Sequence, residues 1–389
     1  AAFWLRSAGV ALFAAWIAES ALDRRFRVAA IRLVAALVAI LPWQLHVAKV
    51  ENSLEYREPA YAYQRADYLF YNVSYARNIF HLKDGFQPEL GGLTWGSLRD
   101  RVLTNAWKVP ASLGEWVSSI ERVWTVEWKV IRHRLGAEWL PEALPRWIVV
   151  SLGVLVGAGI VAQLVRAQWL APLYVLASIG LACLTPWPGQ FARYGVPLAP
   201  LLALAILEAQ CLCERRWRGA RGVTAALFSL ILVQQTATAV VAFTKGRGLV
   251  QFRGRHGEPQ SYRLFFYLDA YRVLDEALDR LRADAAPGDV IAVSMPHWAY
   301  LRTGLKSVMP PFEADPAVAQ RLLDSVPVRF LIVDLGLAVD SWRYTSGVVA
   351  AFPDRWQRVY TSRVLDESGE WEAREFQVFR RTDVDRPAH

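Results

Sequence analysis

A short stretch between two apolar segments combines one arginine with residues that restrict the backbone. Residues 186–200 read Pro-Trp-Pro-Gly-Gln-Phe-Ala-Arg-Tyr-Gly-Val-Pro-Leu-Ala-Pro and lead directly into an apolar segment. Arg193 therefore falls on a short, constrained connection at the depth of lipid headgroups, where a guanidinium can pair bidentately with a phosphate. The alternative is an interfacial anchor, whose side chain extends its charge into water without binding a ligand.

The rest of the sequence contains few groups with the spacing of a catalytic or binding site. Residues 303–307, Thr-Gly-Leu-Lys-Ser, lack the upstream glycine of a phosphate loop and predict a glycine turn before a strand. Asp334 falls at the carboxyl end of a predicted strand, where α/β folds often bind ligands. A capping or turn-forming role is the alternative for Asp334. The six histidines show no metal-ligand spacing, so the sequence predicts no metal site.

Apolar segments that could cross a membrane flank these groups. The chain has 389 residues, of which 54% are hydrophobic and 21% charged, and its mean hydropathy is +0.18. About 20 apolar residues suffice to cross a hydrocarbon core of about 30 Å. The predicted spans are residues 1–19, 28–46, 147–165, 169–187, 195–212 and 223–243. Because the chain opens inside an apolar run, we interpret the first span as truncated and expect a longer protein upstream.

The arginines between the predicted spans indicate their orientation. Arginines cluster at 24–27, at Arg166 and at 215–221, after the first, third and fifth spans. Basic residues concentrate in cytoplasmic connections, so residues 47–146 and 244–389 are predicted to lie on the extracytoplasmic side. The net charge of +8 is spread over these short connections, which argues against a nucleic-acid partner.

Periodicity divides the chain into four parts. Within the long loop, Leu98–Trp107 and Trp116–Arg132 carry apolar residues three or four positions apart, which predicts two amphipathic helices on the membrane surface. The parts are two spans (1–46), a long extracytoplasmic loop (47–146), four spans (147–243) and a soluble extracytoplasmic α/β domain (244–389). The predicted fold class is therefore a polytopic α-helical membrane protein with a C-terminal soluble α/β domain.

The C-terminal part has the alternating pattern of an α/β fold. Asp315 before Pro316 is typical of a helix N-cap and first helical residue. The predicted elements are a helix at 267–285, a turn at 287–289, a strand at 290–295, a helix from Asp315 to Leu323 and strands at 328–335, 358–363 and 375–380. This order favours a small, largely parallel sheet flanked by helices.

Polar residues inside the apolar segments have a structural and a functional interpretation. Arg6 and Arg32 are each near a span end, which favours a structural role through snorkelling. Gln234, Gln235 and Thr236 in the last span would suit a transporter pathway, but a helix contact explains them equally well.

The hairpin and the C-terminal part together resemble a known family. Arg193-Tyr194 followed by Pro197 and Pro200 at the head of a membrane helix resembles the late-helix motif of bacterial membrane glycosyltransferases with the GT-C fold. These enzymes use polyprenyl-phosphate sugars and are related to protein mannosyltransferases and aminoarabinose transferases. The C-terminal part, with its step at 300–304, is similar to the small extracytoplasmic α/β domain that ends many of them.

The resemblance implies a reaction, a location and site residues. It implies inverting transfer of a sugar from a polyprenyl-phosphate carrier to an extracytoplasmic acceptor, in the bacterial inner (plasma) membrane. Arg193 and Tyr194 would bind the lipid phosphate, and Asp84 and Glu89 could line an acceptor groove, with a solvated turn as the alternative. The family's catalytic carboxylate would lie upstream of Ala1, so we expect the chain alone to be inactive.

The same resemblance fixes the expected partners and leaves rival functions open. Membrane lipids and the lipid-linked sugar are the expected partners, the protein itself is expected to hold no cofactor, and a divalent metal and the oligomeric state are left undetermined. The rival functions are a transporter and a membrane-anchored ligand-binding or scaffold protein without enzymatic activity.

Overall fold

The chain folds into two compact units. In the computed structural model the described residues are 9–58, 79–84, 87–187, 189, 191–245, 248–253, 258–264, 267–335, 342–365 and 371–383. The helical unit comprises residues 1–53 and 94–238, and the C-terminal unit comprises residues 54–93 and 239–389. Arg6 lies outside the described residues.

Most of the described helices belong to the helical unit. They are α1 (Val10–Leu22), α2 (Phe26–Glu51), α4 (Trp95–Val117), α5 (Glu121–Arg134), α6 (Leu144–Val165), α7 (Leu170–Leu184), α8 (Phe191–Gly195), α9 (Ala199–Glu214) and α10 (Ala220–Lys245), while the short α3 (Leu54–Arg57) belongs to the C-terminal unit. Among the described residues, four helices are long and apolar enough to cross a membrane: Phe26–Glu51, Leu144–Val165, Phe191–Glu214 and Ala220–Val241. The two other predicted spans overlap the shorter apolar helices α1 and α7.

Glycines allow the helices of this unit to approach closely. A Cβ atom on Gly114 of α4 would lie 1.9 Å from the carbonyl oxygen of Val149 in α6. A Cβ atom on Gly153 of α6 would lie 1.6 Å from the carbonyl oxygen of Pro110 in α4. Gly159 of α6 meets the backbone of Ala205 in α9 in the same way. Small residues at helix crossings are the usual means of packing helices in membranes.

The two predicted amphipathic helices are present with different boundaries. A single helix, α4, runs through Trp107, and the chain breaks at Ser118–Ile120 before α5. The start is fixed by Thr94, whose side chain accepts the Ser97 N–H while the Ser97 hydroxyl accepts the Thr94 N–H, a capping box. Leu113 and Trp116 are buried against neighbouring helices. Location of these helices on a membrane surface stays a prediction.

The C-terminal unit is built on a mixed sheet. Its described strands are β1 (Gly248–Arg253), β2 (Pro259–Leu264), β3 (Val290–Ala292), β4 (Lys306–Val308), β5 (Val328–Val333), β6 (Trp356–Ser362) and β7 (Phe376–Arg381). Five strands form a sheet in the order β4-β3-β5-β7-β6, and β1 and β2 form a separate antiparallel pair. The pairs β3–β4 and β3–β5 are parallel, whereas β5–β7 and β6–β7 are antiparallel.

The prediction of a largely parallel sheet was therefore wrong, because two of the four strand pairs are antiparallel. The cause is the direction in which the chain enters its last two described strands. The chain reaches β6 at the edge of the sheet and returns as β7, which enters between β6 and β5 in the opposite direction. Sequence periodicity identifies both strands but carries no information on their direction.

Helices cover both faces of this sheet. They are α11 (Asp269–Asp284), α12 (Pro296–Thr303), α13 (Pro316–Asp324) and α14 (Trp342–Ala351). Residues of α11 and α12 pack on one face, and residues of α13 and α14 pack on the other. The core therefore has two apolar layers, one on each side of the central strand β5, as expected for a strand that is apolar on both faces.

Local signals in this unit are confirmed. The carboxylate of Asp315 accepts the N–H of Ala317 at 2.8 Å and caps α13. Gly304 ends α12 at φ 76°, a left-handed conformation that favours glycine, and β4 follows. Residues 303–307 thus form the predicted glycine turn before a strand.

A buried carboxylate joins α11 to the segment around residues 300–304. Asp275 accepts hydrogen bonds from the Tyr267 hydroxyl at 2.6 Å and from the Trp298 indole at 2.7 Å. Arg302 lies 3.6 Å from Asp275 and forms an ion pair with Asp279 at 2.6 Å. Burial and the bond to Asp275 raise the pKa of Tyr267 far above its ordinary value.

Candidate functional site

Arg193 lies on a five-residue helix that leads into a long apolar helix. In α8 the side chain of Phe191 is buried, that of Arg193 is exposed and that of Tyr194 is partly buried. The chain continues through one 3-10 turn, Val196–Leu198, into α9. Pro197 and Pro200 fall in these first turns, where a missing N–H costs no helical hydrogen bond.

A tryptophan of α4 fixes the end of this connection. The indole of Trp116 packs directly on Gly195, where an added Cβ would lie 1.9 Å from the ring. Trp116 itself is only 3% exposed. Any larger residue at position 195 would have to displace the ring, so the close approach requires glycine beside Arg193.

Two polar side chains of α4 fix the start of the same connection. The amide of Asn105, which is 2% exposed, donates to the carbonyl oxygens of Cys183 at 3.0 Å and Thr185 at 2.9 Å. The guanidinium of Arg101 donates to the Leu184 carbonyl oxygen at 3.2 Å. These carbonyls end α7 and have no helical partner. Helix α4 therefore holds both ends of the segment that carries Arg193.

Sequence reasoning missed Arg101, Asn105 and Trp116 as residues of this region. One signal was available for Asn105. It falls three positions after Val102 and four before Val109, on the apolar stripe of α4. A polar residue on a buried stripe needs a hydrogen-bond partner, which predicts a specific contact without saying where the partner lies.

The polar residues of α10 form a helix contact. Gln234 donates to the Glu127 carboxylate of α5 at 3.1 Å and accepts from the Ser119 hydroxyl at 3.0 Å. Gln235 donates to the same Ser119 hydroxyl at 2.9 Å, and Thr236 bonds within its own helix. The helix contact accounts for Gln234 and Gln235, and the bond within α10 accounts for Thr236; these three residues were the sequence feature in favour of a transporter.

Arg32 has a structural role, as expected, through an ion pair rather than by snorkelling alone. Its guanidinium lies 2.7 Å from the carboxylate of Glu19 and 2.6 Å from the carbonyl oxygen of Trp16, both in α1. It also lies over the Trp16 ring, 5.0 Å from its centre. The charge inside the apolar segment is thereby compensated by groups of α1.

Asp84 and Glu89 lie in the C-terminal unit, on a short segment folded back on itself. The backbone N–H of Lys83 donates to the carbonyl oxygen of Gly91, and the backbone N–H of Leu93 donates to the carbonyl oxygen of His81. The carboxylate of Glu89 accepts from the Tyr344 hydroxyl at 2.9 Å and forms an ion pair with Arg343, both in α14.

These contacts alter the chemistry of Tyr344. Burial raises its pKa far above the ordinary value, and the bond to Glu89 and the negative charges of Glu89 and Asp84 raise it further. Glu89 thus attaches the segment to α14, while the residue itself is exposed in the 3-10 turn Pro88–Leu90. An acceptor groove at Asp84 and Glu89 stays a prediction.

Asp334 directly follows β5 and bonds to the segment that follows the neighbouring strand β3. Its carboxylate accepts the backbone N–H of Ser294, which follows β3, at 3.4 Å. Within the described part of the chain no three His, Cys, Asp or Glu side chains are grouped so that they could hold a metal ion.

Comparison with known proteins gives no relative. No protein-family model, curated protein or solved structure matches the chain. Its function has to be inferred from its own residues and contacts.

Proposed function

We propose that this chain is part of a membrane glycosyltransferase that moves a sugar from a polyprenyl-phosphate carrier to an extracytoplasmic acceptor. Arg193 binds the carrier phosphate. The acceptor hydroxyl attacks the anomeric carbon, the bond from that carbon to the phosphate oxygen breaks, and the phosphate leaves with the electron pair. A carboxylate takes the hydroxyl proton, and the guanidinium stabilises the charge on the leaving phosphate.

The observation that carries this proposal is the fixed position of an exposed arginine. The segment with Arg193 is held by Asn105 at its start and by Trp116 at its end. A snorkelling anchor gains nothing from such fixation, because its side chain only has to reach water. A guanidinium that matches two phosphate oxygens does gain, because a fixed backbone leaves only the side-chain rotamers to be ordered on binding. Tyr194, next in sequence, is the second candidate contact.

The test is an assay of sugar transfer in membranes that contain the complete protein, with a polyprenyl-phosphate sugar as donor. We expect Arg193→Ala to lower transfer about a hundredfold or more, as loss of one stabilising group at a reacting centre typically does. Arg193→Lys should restore only part of the activity, because the charge remains and the bidentate geometry is lost.

A matched control is Arg146→Ala, which removes another exposed arginine from the first turn of α6, an end predicted to lie on the same side. This variant should keep full activity at equal abundance. Full activity of Arg193→Lys, or loss in Arg193→Ala explained by reduced abundance, would reject the phosphate-binding role.

A further inference from the structure

A short turn of the helical unit connects two helices that are long and apolar enough to cross a membrane. Helix α9 ends at Glu214 and α10 begins at Ala220, and the corresponding spans are Phe191–Glu214 and Ala220–Val241. When both helices span a bilayer, residues 215–219 lie at the depth of the lipid headgroups, because the apolar segments end directly beside them. This location holds for either orientation of the helices.

Backbone hydrogen bonds and one aromatic ring fix the conformation of this turn. The backbone N–H groups of Arg216 and Trp217 donate to the Cys213 carbonyl oxygen at 3.0 and 2.8 Å, and that of Ala220 donates to the Trp217 carbonyl oxygen at 3.2 Å. The indole of Trp217 lies over Gly219, where an added Cβ would lie 2.7 Å from the ring. Trp217 is 54% exposed, and exposed tryptophans are enriched at the membrane–water interface.

Two carboxylates in the last two turns of α9 are already neutralised by arginines outside the turn. Glu214 forms an ion pair with Arg221 of α10 at 2.8 Å, and Glu208 forms one with Arg166, which directly follows α6. Neither carboxylate is therefore left to balance the charge of the turn itself.

The turn carries three further arginines within four residues. Arg215, Arg216 and Arg218 are exposed, and their guanidinium groups have no hydrogen bond or ion pair with the described residues. An unbalanced positive charge beside the ends of two spans attracts anionic lipid, and each basic residue near the surface adds to this attraction.

We propose that the turn 215–219 binds the headgroup of an anionic glycerophospholipid in the adjoining leaflet. The guanidinium groups contact the phosphate, because a guanidinium matches two phosphate oxygens in a fixed geometry. A lipid is favoured over a soluble anion, because the two spans hold the turn where headgroups are concentrated and because Trp217 adds an amphipathic ring at the same depth. The inference concerns the helical unit and does not rest on the proposed sugar transfer.

The experiment is native mass spectrometry of the full chain in detergent, titrated with dioleoyl phosphatidylglycerol. Dioleoyl phosphatidylcholine, which has no net charge, and inorganic phosphate are the comparison ligands. We expect the wild type to retain phosphatidylglycerol in preference to both. Arg218→Gln should raise the apparent Kd of the first bound phosphatidylglycerol about fivefold, the contribution of one basic residue near a membrane surface.

A triple variant that keeps the charge separates a binding site from general surface attraction. Combined Arg215→Lys, Arg216→Lys and Arg218→Lys substitutions leave the net charge, and with it the orientation signal of this connection, unchanged. A phosphate held by guanidinium groups should bind about fivefold more weakly or worse, because an ammonium group offers only a point charge. Attraction to surface charge alone would leave the apparent Kd as it is.

The matched control makes the same three substitutions in the connection between α1 and α2, at Arg24, Arg25 and Arg27, where Asp23 precedes the arginines. This control should keep the affinity of the wild type. The proposal is overturned by equal retention of phosphatidylcholine, by binding of inorganic phosphate alone, by unchanged affinity in the triple lysine variant of the turn, or by equal weakening in both triple variants.

Discussion

At the scale of single residues, polar side chains of the helical unit bond to backbone atoms that a helix leaves without partners. The buried Asn105 donates to two carbonyl oxygens at the end of α7, and the exposed Gln235 donates to the Ser118 carbonyl oxygen at the break between α4 and α5. A polar side chain in apolar surroundings stabilises the fold most where it bonds to such a backbone group. The reason is that a buried donor or acceptor without a partner costs free energy.

Asn105→Ala should therefore lower the free energy of unfolding by about 1–3 kcal/mol, because two buried carbonyls lose their donor. Thermal unfolding of the purified protein in detergent measures the change. Asn52→Ala is the control, since its exposed amide donates to a carbonyl of its own helix, and it should change stability by no more than about 0.5 kcal/mol. Equal effects of the two substitutions would contradict the role of Asn105.

At the scale of elements, β5 is the strand on which the C-terminal unit depends. It pairs with β3 on one side and β7 on the other, and its residues enter both apolar layers. The sequence predicts this strand from a nearly continuous apolar run. Its neighbour β7, which comes last in the chain, is brought beside it only by tertiary packing.

Ile332→Asp should destabilise the C-terminal unit by about 4 kcal/mol or more, because a carboxylate would replace a side chain that is 0% exposed. The measurement is the unfolding transition of this unit in the complete protein. Val359→Asp on β6 is the control, because Val359 is 41% exposed. An unchanged transition in Ile332→Asp would exclude a central position for β5.

An ion-pair cluster joins α13 to the end of β7 and predicts a dependence on pH. Arg355 lies 2.8 Å from Asp324 and 2.6 Å from Asp383, and Arg381 pairs with both carboxylates. The hydrogen bond from Arg381, with the one from Arg355, lowers the pKa of Asp383. For Asp324 burial acts in the opposite direction, but Arg355, Gln320 and Arg381 outweigh it and the pKa is also lowered.

Because these pKa values are lower in the folded state, the unfolded state binds more protons as pH falls. The stabilisation is complete above the unfolded value of about 3.9 and is lost as pH drops through the folded values. Arg355→Gln should reduce this acid-dependent loss, measured as melting temperature between pH 7 and pH 3. Arg358→Gln, an exposed arginine on β6, should follow the wild type. Identical curves for Arg355→Gln and wild type would contradict the prediction.

At the scale of the whole molecule, the chain is not divided into units at the places where its composition changes. Residues 79–93 lie between apolar segments in sequence but belong to the C-terminal unit, where Glu89 bonds to Tyr344 across 255 positions. Residues 94–146, from the same predicted loop, belong to the helical unit. One connection between apolar segments thus contributes to two units.

The orientation predicted from arginine placement has a direct test. Because basic residues concentrate in cytoplasmic connections, compartment reporters fused at Arg218 and after Ala285 should report opposite sides of the membrane. A fusion after Arg24, in another arginine-bearing connection, should agree with the one at Arg218. The same reading at Arg218 and Ala285 would reject the orientation and the extracytoplasmic reaction built on it.

The sequence by itself determined the features that depend on near neighbours. The length of the apolar segments, the two-sided apolar run of β5, the cap at Asp315 and the turn at Gly304 follow from residues a few positions apart. Tertiary structure alone decided which distant surfaces meet: α4 against the segment that carries Arg193, β7 against β5, Glu89 against α14, and Ser294 beside Asp334. Hydropathy and periodicity state that a face must be covered, whereas the partner that covers it is selected by shape, close glycine contacts and the pairing of buried polar groups.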